Sequence, residues 1–465
     1  MELPSRPLGW LRRLAPSPRR RDGARLVPIA WAIGGTLALA LAFAAAVTIA
    51  GLHFLHFHRL KPEPVLSAAN LYNLLKVAFA FAAGVGGVFA LVTAYRRQRV
   101  AEFAEAREGA RLFNERFGEA AGQLGHDNAA VRLAGVYAMA RLADDWPAQR
   151  QTCVDVLCAY LRMPYQPDPG PDAPPADQQA HRSLREVRRT VIRVITAHLQ
   201  PDDSRTPTAQ DWRGLSLDFT GAVFDGGNFK GAEFTGGEVS FADAQFTGGE
   251  GSFARARFAD GEVSFARAQF TGGQVSFARA QFTGGFVSFE GAQLTGGFVR
   301  FNRAEFAGAE VRFGAKFSGA QVRFDFAQFS GGEVRFNFGA KFSGGEVHFN
   351  YAQFDGGQVS FSGEFTGGTV SFEGAKFSGG QVRFNYAQFD GGQVSFDIAH
   401  FVGGEVSFAD VGFGGGTVSF DSAMEWSAPP DGIDWNNPPP GVVARGGGAA
   451  EAGANTKRGV TQTPR

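Results

Sequence analysis

The sequence predicts a mixed fold: two transmembrane α-helices, a small all-α region after them, and a long β-solenoid whose coils turn a corner after every short strand. Three observations predict it. Phenylalanines recur at a fixed period from about Phe219 to Phe420, glycine pairs punctuate the same stretch, and two apolar runs free of acidic residues lie near the N-terminus.

The repeat decides the architecture. Phe219, Phe224, Phe229 and Phe234 are five residues apart; thereafter steps of seven and five alternate through Phe241, Phe246, Phe253, Phe258, Phe265, Phe270, Phe277, Phe282 and Phe289. Self-similarity at a fixed period marks a solenoid. A five-residue step would put Phe265 and Phe270 on opposite sides of one straight strand. It is also poor for one helical face, and the glycine pairs penalise a helix further. Within each half-unit, however, Val263 and Phe265, or Ala268 and Phe270, are two apart, as the inward positions of a very short strand are. Pairs such as Gly272-Gly273 fall at every second corner, where positive φ or a bulge is needed. A four-sided coil takes about 24 residues. It stacks Phe241, Phe265, Phe289 and Phe313 in one column and Phe253, Phe277 and Phe301 in another, with Phe246 and Phe270 in the same core ladder. About eight coils at ~4.8 Å rise make a rod roughly 40 Å long. The register slips by one residue at Phe313 to Phe317, Phe336 to Phe342 and Phe361 to Phe365, which corner bulges can absorb.

The triplets Ala268-Gln269-Phe270, Ala280-Gln281-Phe282 and Ala387-Gln388-Phe389, with Ala222-Val223-Phe224 and Ala232-Glu233-Phe234, resemble the pentapeptide-repeat family. The resemblance implies a right-handed quadrilateral β-helix. The seven-residue alternate step departs from the family's pure pattern and bears on the coil cross-section.

The rest of the chain is read in order. Residues 1–25 form a basic tail with seven arginines, expected to be disordered. Residues 26–95 hold the two spans and a short outer loop. Leu26–Leu52 carries no charge, and about Leu74–Tyr95 carries only Lys76. Basic residues flank the pair, which puts both termini in the cytoplasm. His53, His56 and His58 at the end of the first span read as interfacial side chains, not as a metal site. Residues 96–163 are a helical juxtamembrane region, with Asp127 or Asn128 as a cap, a break at Asp144-Asp145-Trp146-Pro147, and Cys153 and Cys158 in a hydrophobic core. This pair of helices resembles an α-hairpin of the HEAT type. Residues 164–178 are a Pro-rich linker. Residues 179–200 form an amphipathic helix with Arg182, Arg185, Arg188, Arg189 and Arg193 opposite Leu184, Val187, Val191, Ile192 and Ile195. Residues 212–426 are the solenoid, with Trp212 and the basic helix capping its start and Met424, Trp426 and Trp435 its end. Residues 438–465 are expected to be disordered. Two spans, Val131-Arg132-Leu133-Ala134-Gly135-Val136-Tyr137-Ala138, a helical pair, a Pro-rich linker and the repeat together resemble membrane-anchored bacterial pentapeptide-repeat proteins.

Charge is balanced, with 45 basic and 45 acidic residues, but the N-terminus is basic and the repeat mildly acidic. No phosphate-binding loop, nucleophile elbow or HExxH is present, so no catalytic, cofactor-binding or metal site is assigned. The reading is a non-enzymatic scaffold in a bacterial inner membrane, with the bilayer and a protein as partners, no small-molecule substrate, and homo-oligomers left open. The resemblance also admits a DNA mimic acting on a type II topoisomerase. Against it, Arg255, Arg267, Arg279, Arg300, Arg312, Arg323 and Arg335 interrupt any negative stripe, and nucleic acid itself is not indicated. A third alternative, an oligomeric sensor or pore, rests on Gly84, Gly86 and Gly87.

Overall fold

The computed structural model describes residues 68–165, 168–201, 210–336 and 339–446, with scattered helical positions between 34 and 53. The chain divides into two compact units, Met1–Leu112 and Phe113–Arg465. The first expected span and the basic tail lie largely or wholly outside the described residues, as do His56 and His58. One described helix is long and apolar enough to cross a membrane: α1, Ala68–Leu124, whose most apolar window has a mean hydropathy of 2.1 and nothing buried. Among the described residues there is thus one candidate span, and the first of the two expected spans falls largely outside them.

In the second unit, the end of α1 packs on α2 (Ala129–Asp145), which is followed by a 3-10 turn at Pro147–Gln149 and by α3 (Arg150–Arg162). The Asn128 side chain caps α2 by accepting the Ala130 N–H at 2.8 Å. Gly135 lets α2 cross the end of α1, because a Cβ there would lie 2.6 Å from the Leu124 nitrogen. Cys153 and Cys158 are buried with Val154, Leu157 and Leu161. The fourth helix, α4, spans Pro175–Leu199, so it begins inside the stretch read as linker. Proline suits that first turn, where its missing N–H is not needed.

The repeat folds into a parallel β-solenoid of about nine turns, consistent with a pentapeptide-repeat type. One coil has four sides: Arg257–Phe258, Glu262–Ser264, Gln269–Phe270 and Gln274–Ser276, which we number as first to fourth faces. Each pairs in parallel with its equivalents in the coils on either side, mostly 24 residues away, as Gln281 does with Arg257 and Glu305. Corners after the first and third faces hold the glycine pairs. Gly273 has φ +69, and a Cβ on it would fall 2.6 Å from the Gly249 carbonyl oxygen, so both conformation and the coil beneath require glycine. Corners after the second and fourth faces follow the pattern Phe-x-x-Ala, closed by bonds such as Ala268 N–H to Phe265 O at 3.1 Å.

All three register slips fall at one corner, the one after the second face. Phe313–Ala315 and Phe361–Gly363 are one residue shorter there than Phe289–Ala292, and Phe336–Ala340 is one longer. The columns survive, because Phe317, Phe342 and Phe365 still pair in register. Asn337 and Phe338 of the longer corner lie outside the described residues.

At the far end, Trp426 and Trp435 meet edge to face at 4.9 Å and cover Phe401 and Phe420. Met424 is 58% exposed and takes no part in this cap, contrary to expectation. Residues Val442–Val443 pair with Val418 and Ser419, so structure continues past 426 and into the stretch expected to be disordered. An apolar Val-Val pair can extend the fourth face by one further strand.

Candidate interaction surface of the solenoid

The interior is apolar and complete, so any binding function lies outside it. Phe241, Phe265, Phe289 and Phe313 stack with ring centroids 4.8–4.9 Å apart. Phe253, Phe277 and Phe301 form the diagonally opposite column at 4.7–4.9 Å. Phe246 and Phe270 stack at 4.8 Å in a third column, which Leu294 interrupts. The first two columns touch edge to face, as Phe241 and Phe253 do at 5.4 Å and 87°. Both arrangements suit the ring quadrupole, and the ring spacing is the strand spacing. These residues are a structural core and offer no side chain to a ligand.

The first coil would expose a row of unpaired backbone groups, and helical side chains cover it. Gln151 donates to Ser216 O at 2.7 Å and accepts the Ser216 N–H at 3.1 Å, as a neighbouring strand would. Thr196 donates to Asn228 O at 2.9 Å and Gln200 to Lys230 O at 2.8 Å. Arg185 pairs with Asp225 at 2.7 Å, and Tyr165 donates to the same carboxylate at 2.7 Å. Burial and that hydrogen bond push the Tyr165 hydroxyl well above the usual phenol range.

Arg188 corrects the sequence reading of α4. Instead of lying with the polar arginines it is 4% exposed. It donates to Leu161 O at 2.8 Å and Val223 O at 2.7 Å, beneath the Tyr165 ring at 4.4 Å. One guanidinium thus satisfies an orphan carbonyl at the end of α3 and one from the first coil. Burial lowers its pKa, yet it remains charged throughout the physiological range. The signal was present: Leu184, Arg188, Val191 and Ile195 have 4-3-4 spacing, so Arg188 sits within the apolar stripe.

Beside this cap, His198 stacks on Trp212 at 4.0 Å, and Asp144 accepts from the indole N–H at 2.9 Å. Clefts of about 700 Å³ near His198 and about 780 Å³ between α4 and the first coil are lined by mixed charges. Neither brings a nucleophile and a base together among the described residues.

The outer surface differs between two diagonally opposite edges. Along the second face and the corner after it, arginines are neutralised over the first part of the rod, whereas Arg383, farther on, meets only the Gln381 side chain among the described residues and is followed by the exposed Tyr386. Arg267 meets Asp243 at 2.6 Å, Arg312 meets Glu310 at 2.7 Å, and Arg335 lies between Glu310 and Glu333 at 2.8 and 2.5 Å. On the corner after the fourth face stand Arg255, Arg279 and Arg303, one per coil, then Phe326 and Tyr351. Arg300 and Arg323 end the adjacent fourth-face strands. Among the described residues none of these five arginines has a carboxylate within 4 Å. Phe326 and Tyr351 are 49% and 45% exposed and stack at 5.2 Å, and Arg303 lies 5.7 Å from the Phe326 ring centre.

The corner position itself is unfavourable for these residues. Arg255, Arg279, Arg303, Phe326 and Tyr351 all have φ of 57–58°. The left-handed conformation costs a residue with a Cβ roughly 1–2 kcal/mol. Glycine occupies the equivalent position at Gly231 and Gly374, with φ +70 and +63. Sequence reading picked out four of the five arginines, without Arg303, and could not separate paired from unpaired ones.

No protein-family model matches this chain, and no curated protein matches it. What it shares with the pentapeptide-repeat type is thus the architecture: a parallel solenoid of short strands on a regular phenylalanine core.

Proposed function

We propose that this protein is a non-enzymatic, membrane-anchored scaffold of bacterial origin. In this reading, α1 together with the apolar run at 26–52 anchors the chain in the inner membrane, with both termini in the cytoplasm. The solenoid is a rigid platform for a protein partner. The observation that carries the reading is the edge where Arg255, Arg279, Arg300 and Arg303 have no carboxylate within 4 Å among the described residues and stand beside Phe326 and Tyr351. Left-handed backbone is retained there without an ion pair to offset it, and strain of that kind concentrates at functional surfaces. Unneutralised arginine beside exposed aromatic rings is the composition of binding hot spots. The chemistry fits an acidic protein segment. It does not fit a DNA mimic, which needs an unbroken negative stripe.

Crosslinking in intact cells tests it, comparing the full-length chain with one lacking residues 219–420, after nuclease treatment. A protein captured only by the full-length chain, and released by raised salt, supports the scaffold. Identical captures from both chains would remove it, and loss of capture on nuclease treatment would point to nucleic acid instead.

A further inference from the structure

Seven apolar residues of α1 follow a strict 3-4-3-4-3-4 spacing: Phe103, Ala106, Ala110, Phe113, Phe117, Ala120 and Leu124. This is the a/d pattern of a coiled-coil seam. Its C-terminal part is covered: Phe113, Ala120 and Leu124 are buried, with Trp146 6.0 Å from Phe113. Its N-terminal part is not. Phe103 is 48% exposed, and Ala106 and Ala110 are exposed too. With Val100 and Arg107 they form a concavity of about 500 Å³ on the helix surface.

We infer that this open stretch of the seam, residues 102–110, packs in parallel against the same stretch of a second copy of this chain. Two features select that occupant. With Phe103 at a and Ala106 at d, Glu102 falls at g and Arg107 at e. In a parallel pair, g faces the e position five residues on in the partner, so two symmetric Glu102–Arg107 pairs form. In an antiparallel pair g meets g and e meets e, so the Glu102–Arg107 pairs are lost. The small side chains at 106 and 110 allow close approach, and Phe103 supplies a large apolar surface. The inference goes beyond the scaffold reading and does not depend on it, because the seam lies past the most apolar part of α1.

The test is oxidative crosslinking of the full-length chain in cells. Cys153 and Cys158 are buried, and burial pushes their thiols up to about 11 and about 12, so they stay silent. Ala106→Cys on the seam is expected to give a disulfide-linked dimer, and Glu108→Cys on the opposite face is not. In the Ala106→Cys background, Glu102→Arg should lower the yield by roughly threefold through two symmetric repulsive pairs, and adding Arg107→Glu should restore it. Equal yields at 106 and 108, or no dimer from either, overturn the inference. So does a dimer that forms only when residues 1–25 are deleted, since that tail would then be the occupant of the seam.

Discussion

The solenoid and its helical cap are held together by different rules. In the solenoid every coil repeats the same contacts, so a Phe301 ring meets Phe277 and Phe324 at 4.7 and 4.6 Å and stability comes from nearest neighbours. In the cap each contact occurs once and joins residues far apart, such as Gln151 with Ser216 or Arg188 with Val223. A periodic apolar core tolerates slips of one residue because a corner absorbs them. A polar cap tolerates none, because each donor serves one particular carbonyl.

Four substitutions, with Phe298→Ala as a surface control for the first, sharpen that contrast, from the largest effect down. Phe301→Ala in mid-rod should cost about 3–5 kcal/mol in denaturant unfolding of the full-length protein in detergent. The exposed Phe298 changed in the same way should cost less than about 0.5 kcal/mol. Arg188→Met should cost roughly 2–4 kcal/mol by stranding buried carbonyls. Its signature is local: faster hydrogen exchange around Ser216–Lys230 and new reactivity of Cys153 and Cys158 toward alkylating reagents at pH 8, while mid-rod amides keep their protection. Loss of protection along the whole rod would show that the cap and the coils are one cooperative unit. Arg279→Gly should stabilise by about 1 kcal/mol, because it relieves a left-handed corner that no ion pair supports. Asp325→Asn has the smallest effect and depends on pH. Burial between Asn302 and Asn350 raises the Asp325 pKa, so the folded state holds this proton more tightly than the unfolded chain does. Stability is therefore lost as pH rises from the unfolded pKa through the folded one. The Asn variant should melt higher at pH 7, by roughly 1–2 °C, and match the native protein near pH 3.

The same contrast explains what could be read in advance. The columns through Phe241 and Phe253 were legible because their period recurs many times and only a four-sided coil stacks them. Which corner absorbs the slips was not, since any corner could accommodate one residue more or less. Arg188 was misread because a charged residue was assigned to the polar face by type, although its spacing placed it among Leu184 and Val191. Val442 was passed over because a Gly- and Pro-rich neighbourhood hides one strand that pairs far back in sequence. Arg267 and Arg279 are alike in sequence. They differ only because a coil of 24 residues sets Asp243 beside Arg267 and no carboxylate beside Arg279. That distinction becomes readable only after the coil length is known.

The most direct test of the scaffold account exchanges the two edges. Arg255, Arg279 and Arg303 are changed together to Gln in one full-length chain, and Arg267, Arg312 and Arg335 in another. Partner capture is then measured beside the unaltered protein. The account predicts that the first variant folds and loses its partner, while the second keeps it. Undiminished capture by the first variant, or equal loss in both, would contradict it.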